Sequence, residues 1–250
     1  MAINTDKNSY TIFFSVIMVL VVGSLLAGFA SGLKPRILAN ERYEKQQNIL
    51  YAMGVNNNEG PNDVEFITTD VVEDEFSKYI TKQIVIEGDK ETEDDQAYLI
   101  DIKKETNKAK KSDYTRRLPV FIGEIDGKEI YVIPVRGKGL WDAIWGFIAM
   151  DKTMTIQGVY FDHKGETPGL GAVINQRFFM DDFAGESFLL NDGSFGSIKV
   201  AKGNNDPKNL DKADQEVDAL AGATITGDGL SAMLKKDVKM YVPYFKKLNQ

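Results

Sequence analysis

The 250-residue chain contains no cysteine and a single histidine, His163. These two shortages exclude structural disulfides, thiolate-held iron–sulfur clusters, Cys/His zinc sites and a cysteine nucleophile. A haem could draw only on His163, Met or Tyr, and no attachment motif is present. A Ser-His-Asp triad would have only His163, with no Gly-x-Ser-x-Gly elbow to accompany it. Redox chemistry on such a chain must be carried by an organic cofactor. Long basic runs are also lacking: 30 Lys and Arg stand against 37 Asp and Glu, a formal charge of −7. Nucleic acid is thereby set aside as a partner, because phosphate binding needs clustered cations. The absence of cysteine is neutral as to compartment.

What is present, near the N-terminus, is a long uncharged run. From Asn8 to Leu33 there is no Asp, Glu, Lys, Arg or His. About 20 apolar residues cross a hydrocarbon core as a helix, so a short tail at 1–9 and a single transmembrane helix at 10–33 are expected. A cleaved signal peptide with Gly28-Phe-Ala30 at its end is the alternative. The apolar region exceeds the usual 7–15 or so residues of such a peptide, and its leading segment carries only Lys7 offset by Asp6. Lys34, Arg36, Arg42 and Lys45 follow the span, so a count of flanking cations puts the C-terminal part in the cytoplasm.

Beyond the span, Pro35 is expected to break the helix, and a second helix is expected to run from an Asn40 N-cap to a left-handed cap at Gly54. Apolar Val64, Ile67, Val71, Val72, Phe76 and Ile80 recur at helical spacing. Residues 87–113 are dense in mixed charge and read as a solvated excursion, which closes a membrane-proximal region at 34–113. After Arg117 the pattern turns to strands. Segments 118–125 and 129–135 flank Asp126-Gly127, a tight-turn signal. Segments 144–150 and 154–161 suggest a second hairpin, although 144–150 also suits a helix. A helix is expected at 175–189, a short strand at 194–200 and a final helix at 227–236. The fold class is α+β, a domain at 114–250 with a twisted antiparallel sheet carried on a membrane stalk.

Three glycine-containing segments could carry chemistry: Arg136-Gly-Lys-Gly-Leu-Trp141, Gly165-Glu-Thr-Pro-Gly-Leu-Gly171 and Asp218-Ala-Leu-Ala-Gly-Ala-Thr-Ile-Thr226. None is a Walker A loop or a Gly-x-Gly-x-x-Gly fingerprint. Gly169 and Gly171 bracket Leu170 and let backbone approach a flat ligand, with Pro168 stiffening the turn. Glu166 and Thr167 offer polar contacts there, and Trp141 an aromatic wall. The plain alternative is two ordinary turns. Gly222 and Ala223 precede Thr224 at a helix start, where free N–H groups and the dipole favour phosphate. There too a plain alternative stands, that Thr224 or Thr226 merely caps the helix. His163 suits a surface strand end, and Tyr241, Tyr244 and Phe245 suit packing.

The N-terminal span, Glu44-Lys-Gln-Gln-Asn-Ile-Leu50, Gly139-Leu-Trp141, Glu166-Thr-Pro-Gly-Leu-Gly171 and Ala221-Gly-Ala-Thr224, in this order, resemble the C-subunit family of bacterial Na+-translocating NADH:quinone oxidoreductases. The resemblance covers essentially the whole chain. It implies an FMN-binding α+β domain whose FMN is joined through its phosphate to a threonine by a flavin transferase. The family motif is Asp-x-x-Ser/Thr-Gly-Ala-Thr. It places the Asp at Asp218, the Gly-Ala at Gly222 and Ala223, and the acceptor at Thr224, with Ala221 departing from the pattern and Thr226 as fallback acceptor. The implied cofactor site comprises Leu140, Trp141, Glu166, Thr167, Gly169, Leu170, Gly171, Asp218, Gly222, Ala223 and Thr226, with no catalytic side chain and no metal. The resemblance also implies single-electron relay among A-, B-, D-, E- and F-type subunits of a six-subunit complex that links NADH, ubiquinone and Na+ transport. It further implies a single-pass protein of the bacterial inner membrane with the FMN domain in the periplasm, against the cation count. The alternatives are the G subunit of the related Rnf ferredoxin:NAD oxidoreductase and a non-redox membrane-tethered binding module.

Overall fold

The structure, a computed structural model, describes residues 7–60, 62–111, 113–202, 206 and 209–249. The chain divides into two compact units, Met1–Arg42 and Tyr43–Gln250. In the first, helix α1 (Asn8–Ala52) begins at Asn8, so most of the tail expected at 1–9 lies outside the described residues. Its apolar stretch reaches a mean hydropathy of 2.6 with none of that window buried, long and apolar enough to cross a membrane. Pro35 does not break α1, and Asn40 is interior to the helix rather than its cap. A proline removes one backbone bond, and the residues on either side carry the helix past it. The end at Gly54 is as expected, with φ +88°.

In the second unit the last turns of α1, from Gln46 to Ala52, are mostly buried. Among the described residues the main sheet has six antiparallel strands in the order β2-β1-β3-β4-β5-β6. They are β1 (Ile80–Glu87), β2 (Lys90–Glu93), β3 (Leu118–Ile125), β4 (Lys128–Lys138), β5 (Ala143–Met150) and β6 (Ile156–His163). Asp126 and Gly127, at φ 51° and 75°, make the β3–β4 turn, where two left-handed residues match the strand twist. The central strands β4 and β5 are buried along most of their length, hence their near-continuous apolar runs. That burial settles 144–150 as strand. Tyr131 of β4 packs edge-on against Phe245, and Tyr241, Tyr244 and Phe245 are core residues, as expected.

Several local expectations are corrected. Helix α2 covers only Val72–Tyr79. Val64 and Ile67 are half-buried in irregular chain, whose backbone bonds elsewhere: Ile67 O accepts from Gln47 Nε2 and Glu65 O from the Asn57 N–H. Residues 80–87 form strand β1 rather than the end of that helix, with Ile84, Val85 and Ile86 buried and paired with β3. The charged stretch 87–113 is not wholly a solvated excursion, since Ala97, Ile100 and Glu105 within it are buried. Helix α3 (Ile102–Lys108) follows. Between 175 and 189 the α-helix is confined to α4 (Arg177–Asp181), and the chain turns at Gly185, φ +89°. The strand expected at 194–200 reduces to β7 (Lys199–Ala201), paired in parallel with β8 (Glu216–Asp218). The last region holds α5 (Thr224–Val238) and α6 (Val242–Leu248). Helix α5 lies tight on β4: a Cβ at Gly229 would stand 2.3 Å from Lys138 O.

Candidate functional site

Strand pairing brings the first two glycine segments together. Ile144 of β5 pairs with His163 of β6, so the turn entering β5 and the loop leaving β6 share one end of the sheet. The turn is closed by the Gly139 N–H donating to Asp142 O at 2.9 Å. The loop is fixed at its start by the Glu166 N–H donating to His163 Nδ1 at 3.2 Å. His163 is therefore a half-buried acceptor at the site rather than a plain surface residue. The packing of α5 on the exit of β4 delivers the third segment to the same end.

At the junction sits Glu166, 4% exposed. Its Oε1 accepts the Trp141 N–H at 2.9 Å, and its Oε2 accepts the Thr226 hydroxyl. Cβ atoms at Gly139 and Gly171 would stand 2.6 and 2.5 Å from its carboxylate oxygens. Burial alone pushes this carboxyl up, but the Thr226 hydroxyl and the N–H groups of Trp141, Leu140 and Asp142 outweigh it and hold it below the usual carboxylate range. Glu166 is an anion at neutral pH, and both its oxygens are taken by protein donors.

Around it lies a cleft of about 240 Å³ lined by Leu140, Thr167, Leu170, Gly171 and the first residues of α5. Thr224 is the first residue of α5 and is exposed. The N-cap position is taken by Ala223, which makes no side-chain cap bond, so neither threonine is the cap. Gly227 is the first α5 residue, among those described, whose N–H reaches a backbone carbonyl, that of Ala223. The N–H groups of Thr224, Ile225 and Thr226 thus have no carbonyl partner in the helix, and these residues line the cleft, the donor set a phosphate requires. Thr226 is 1% exposed with its hydroxyl committed to Glu166. Gly222, at φ +72°, passes so close to Leu170 that a Cβ would be 2.8 Å from its Cδ2.

Trp141 stands at the rim, 66% exposed, its indole Nε1 donating to Thr167 Oγ1 at 3.2 Å. With exposed Leu140, Leu170 and Ile225 it gives apolar walls for a flat ring. Gly169 and Asp218 lie instead in an adjoining cleft of about 390 Å³, which shares Leu170 and also contains Phe178, Phe179, Asp182 and Ala221. Burial pushes the Asp182 carboxyl up; Lys212 opposes this and Asp218 adds to it. Sequence reasoning missed Ile225, Phe178, Phe179 and Asp182. Ile225 could have been found as the residue between two threonines at a helix start, whereas the others carried no spacing signal. The donor set at α5, the close glycines and the apolar rim fit a flavin mononucleotide.

Comparison with known proteins agrees with this geometry. The family model of the FMN-binding domain matches residues 139–239. The chain is 30% identical to the C subunit of the Na+-translocating NADH-quinone reductase of Pseudomonas aeruginosa, over 92% of this chain and 91% of that one. It is 30% identical to the same protein from a serogroup A Neisseria meningitidis strain, over 99% and 98% of the two chains. The crystal structure of the corresponding C subunit from Parabacteroides distasonis superposes with a TM-score of 0.71 at 30% identity, covering 85% of this chain and 96% of that one.

Proposed function

Because this chain belongs to the family of C subunits of Na+-translocating NADH-quinone reductases, we propose that it carries FMN covalently, as a phosphoester on Thr224, and relays single electrons between other subunits of that complex. Membership makes it an FMN-binding, electron-transfer subunit of an oxidoreductase. The attachment and the relay are our reading. The observation that carries them is the exposed, unbonded Thr224 hydroxyl at the uncapped start of α5, opening on the cleft. Thr226, the other hydroxyl in reach, is buried and held by Glu166.

The residues divide the work. Thr224 offers the oxygen for the phosphoester, and the α5 N–H groups and dipole steady the phosphate. Leu140, Trp141, Leu170 and Ile225 form the apolar wall, while Thr167 fixes the indole. Gly169 and Gly222, in left-handed turns, and the small Gly171 and Ala223 keep the backbone close to the ligand. Asp218, at the end of β8, precedes the acceptor in the chain and marks the transferase motif. When bound, FMN supplies the electron-carrying chemistry that no side chain here offers. The chain needs no acid or base of its own; it binds, orients and sets the surroundings.

The helix within Asn8–Ala52 fits a single-pass anchor in the bacterial inner membrane. We place the FMN domain in the periplasm, where a flavin transferase would act, and A-, B-, D-, E- and F-type subunits as its partners. The test is intact-mass spectrometry of the chain co-expressed with a flavin transferase. Wild type and Thr226→Val are expected to gain one esterified FMN, and Thr224→Val none. An adduct surviving in Thr224→Val would refute the assignment of the acceptor, and a wild type without flavin would refute the carrier reading.

A further inference from the structure

We propose that Glu166 is the positioning residue of the flavin site: its carboxylate locks three chain segments together and leaves a fixed negative charge lining the cleft. The inference rests on the flavin reading above for its second half only. The first half stands on the geometry of the chain itself.

The two oxygens of Glu166 reach donors far apart in sequence, the Trp141 N–H 25 residues before it and the Thr226 hydroxyl 60 residues after it. They join the turn entering β5, the loop leaving β6 and the first turn of α5, which are the three segments that form the cleft. Close packing enforces the arrangement, since neither Gly139 nor Gly171 leaves room for a Cβ beside the carboxylate. The donors also keep the group ionised. A protein dipole or charge beside a redox group sets its potential. Each electron added to a bound flavin adds negative charge unless a proton accompanies it, so a buried anion in the wall opposes reduction.

Two substitutions separate the halves. Glu166→Gln keeps the shape and an acceptor for the Trp141 N–H but removes the charge. Glu166→Ala removes the lock. Amide hydrogen exchange is measured on the full chain in detergent in a Thr224→Val background, which carries no attached flavin. In Glu166→Ala the amides of Leu140, Trp141 and Asp142 are expected to exchange about tenfold faster or more, as befits lost bonds to a charged acceptor. In Glu166→Gln the Trp141 amide stays protected. Gly139→Ala, which crowds the carboxylate without discharging it, is expected to loosen the same amides should Glu166→Ala fail to fold. In the Thr224 background, with flavin attached, potentiometric titration of Glu166→Gln is expected to give a more positive midpoint than wild type. Unchanged exchange in both Glu166→Ala and Gly139→Ala overturns the lock, and an unchanged or more negative midpoint in Glu166→Gln overturns the charge. A wild-type chain without flavin would instead sink the carrier reading, leaving the exchange result to stand.

Discussion

Besides its apolar packing on β4, α5 is held by one buried ion pair, whose loss tests how the site is held. Asp237, in the last turn of α5, is 0% exposed and meets Arg116 Nη1 at 3.1 Å, with Arg116 itself 8% exposed. The other Asp237 oxygen accepts the Arg136 N–H of β4 at 2.8 Å. Arg116→Met would keep the volume and leave a buried carboxylate with one backbone donor and the outlying Lys236 at 3.9 Å. Removing one partner of a buried pair costs about 3–5 kcal/mol. For a unit of this size that corresponds to a fall in Tm of roughly 6–20 °C. The double substitution Arg116→Met with Asp237→Leu removes both charges and is expected to recover most of the loss. The assay is thermal unfolding by circular dichroism of the full chain in detergent at pH 7, with and without added salt. Salt should change the loss little, because buried pairs are poorly screened. A fall of less than about 2 °C in the single variant, or a loss that salt abolishes, would refute the account.

Two further outcomes follow from the packing. Burial pushes the Glu186 carboxyl from 4.5 up to about 7, with Asn209 and Lys212 opposing and Asp214 and Asp211 adding to it. A raised carboxyl pKa favours the fold at low pH. The stability it contributes is whole below pH 4.5 and declines to nothing as pH rises to 7, by at most about 3 kcal/mol. Glu186→Gln should flatten that part of a chemical-denaturation profile against pH, and an unaltered slope would count against the assignment. Gly229→Ala would drive a methyl to within 2.3 Å of Lys138 O and force α5 off β4. A loss of about 1–3 kcal/mol is expected in urea unfolding, together with weaker flavin attachment.

The hairpin at Asp126-Gly127, the buried strands β4 to β6, the apolar N-terminal helix and the helix at Thr224 were all legible in the sequence. Each is a local pattern: a tight-turn pair, a run of apolar residues, a small-residue entry to a helix. The three glycine segments could be picked out as well, and the residues proposed there as ligand contacts line the cleft, its rim or the adjoining cleft. Other features were not. Strand β1 was hidden because Ile84, Val85 and Ile86 are flanked by charge and gain their meaning only by pairing with β3, more than thirty positions on. The span 175–189 looked helical because its buried phenylalanines fall at spacings that a turning chain can satisfy equally well, once Gly185 takes φ +89°.

The sequence by itself determined that no thiol, metal cluster or basic surface could carry the chemistry. It also determined which hydroxyls and glycines could receive a phosphate and a flat ring, because composition and local backbone preference act residue by residue. Only the tertiary structure shows Thr224 exposed at the start of α5 and the Thr226 hydroxyl buried against Glu166. It likewise turned Glu166 from an apparent ligand contact into the buried anion that joins three segments. Both outcomes depend on which donors the packing of α5 against the end of the sheet brings within hydrogen-bonding reach, and no spacing along the chain encodes that distance.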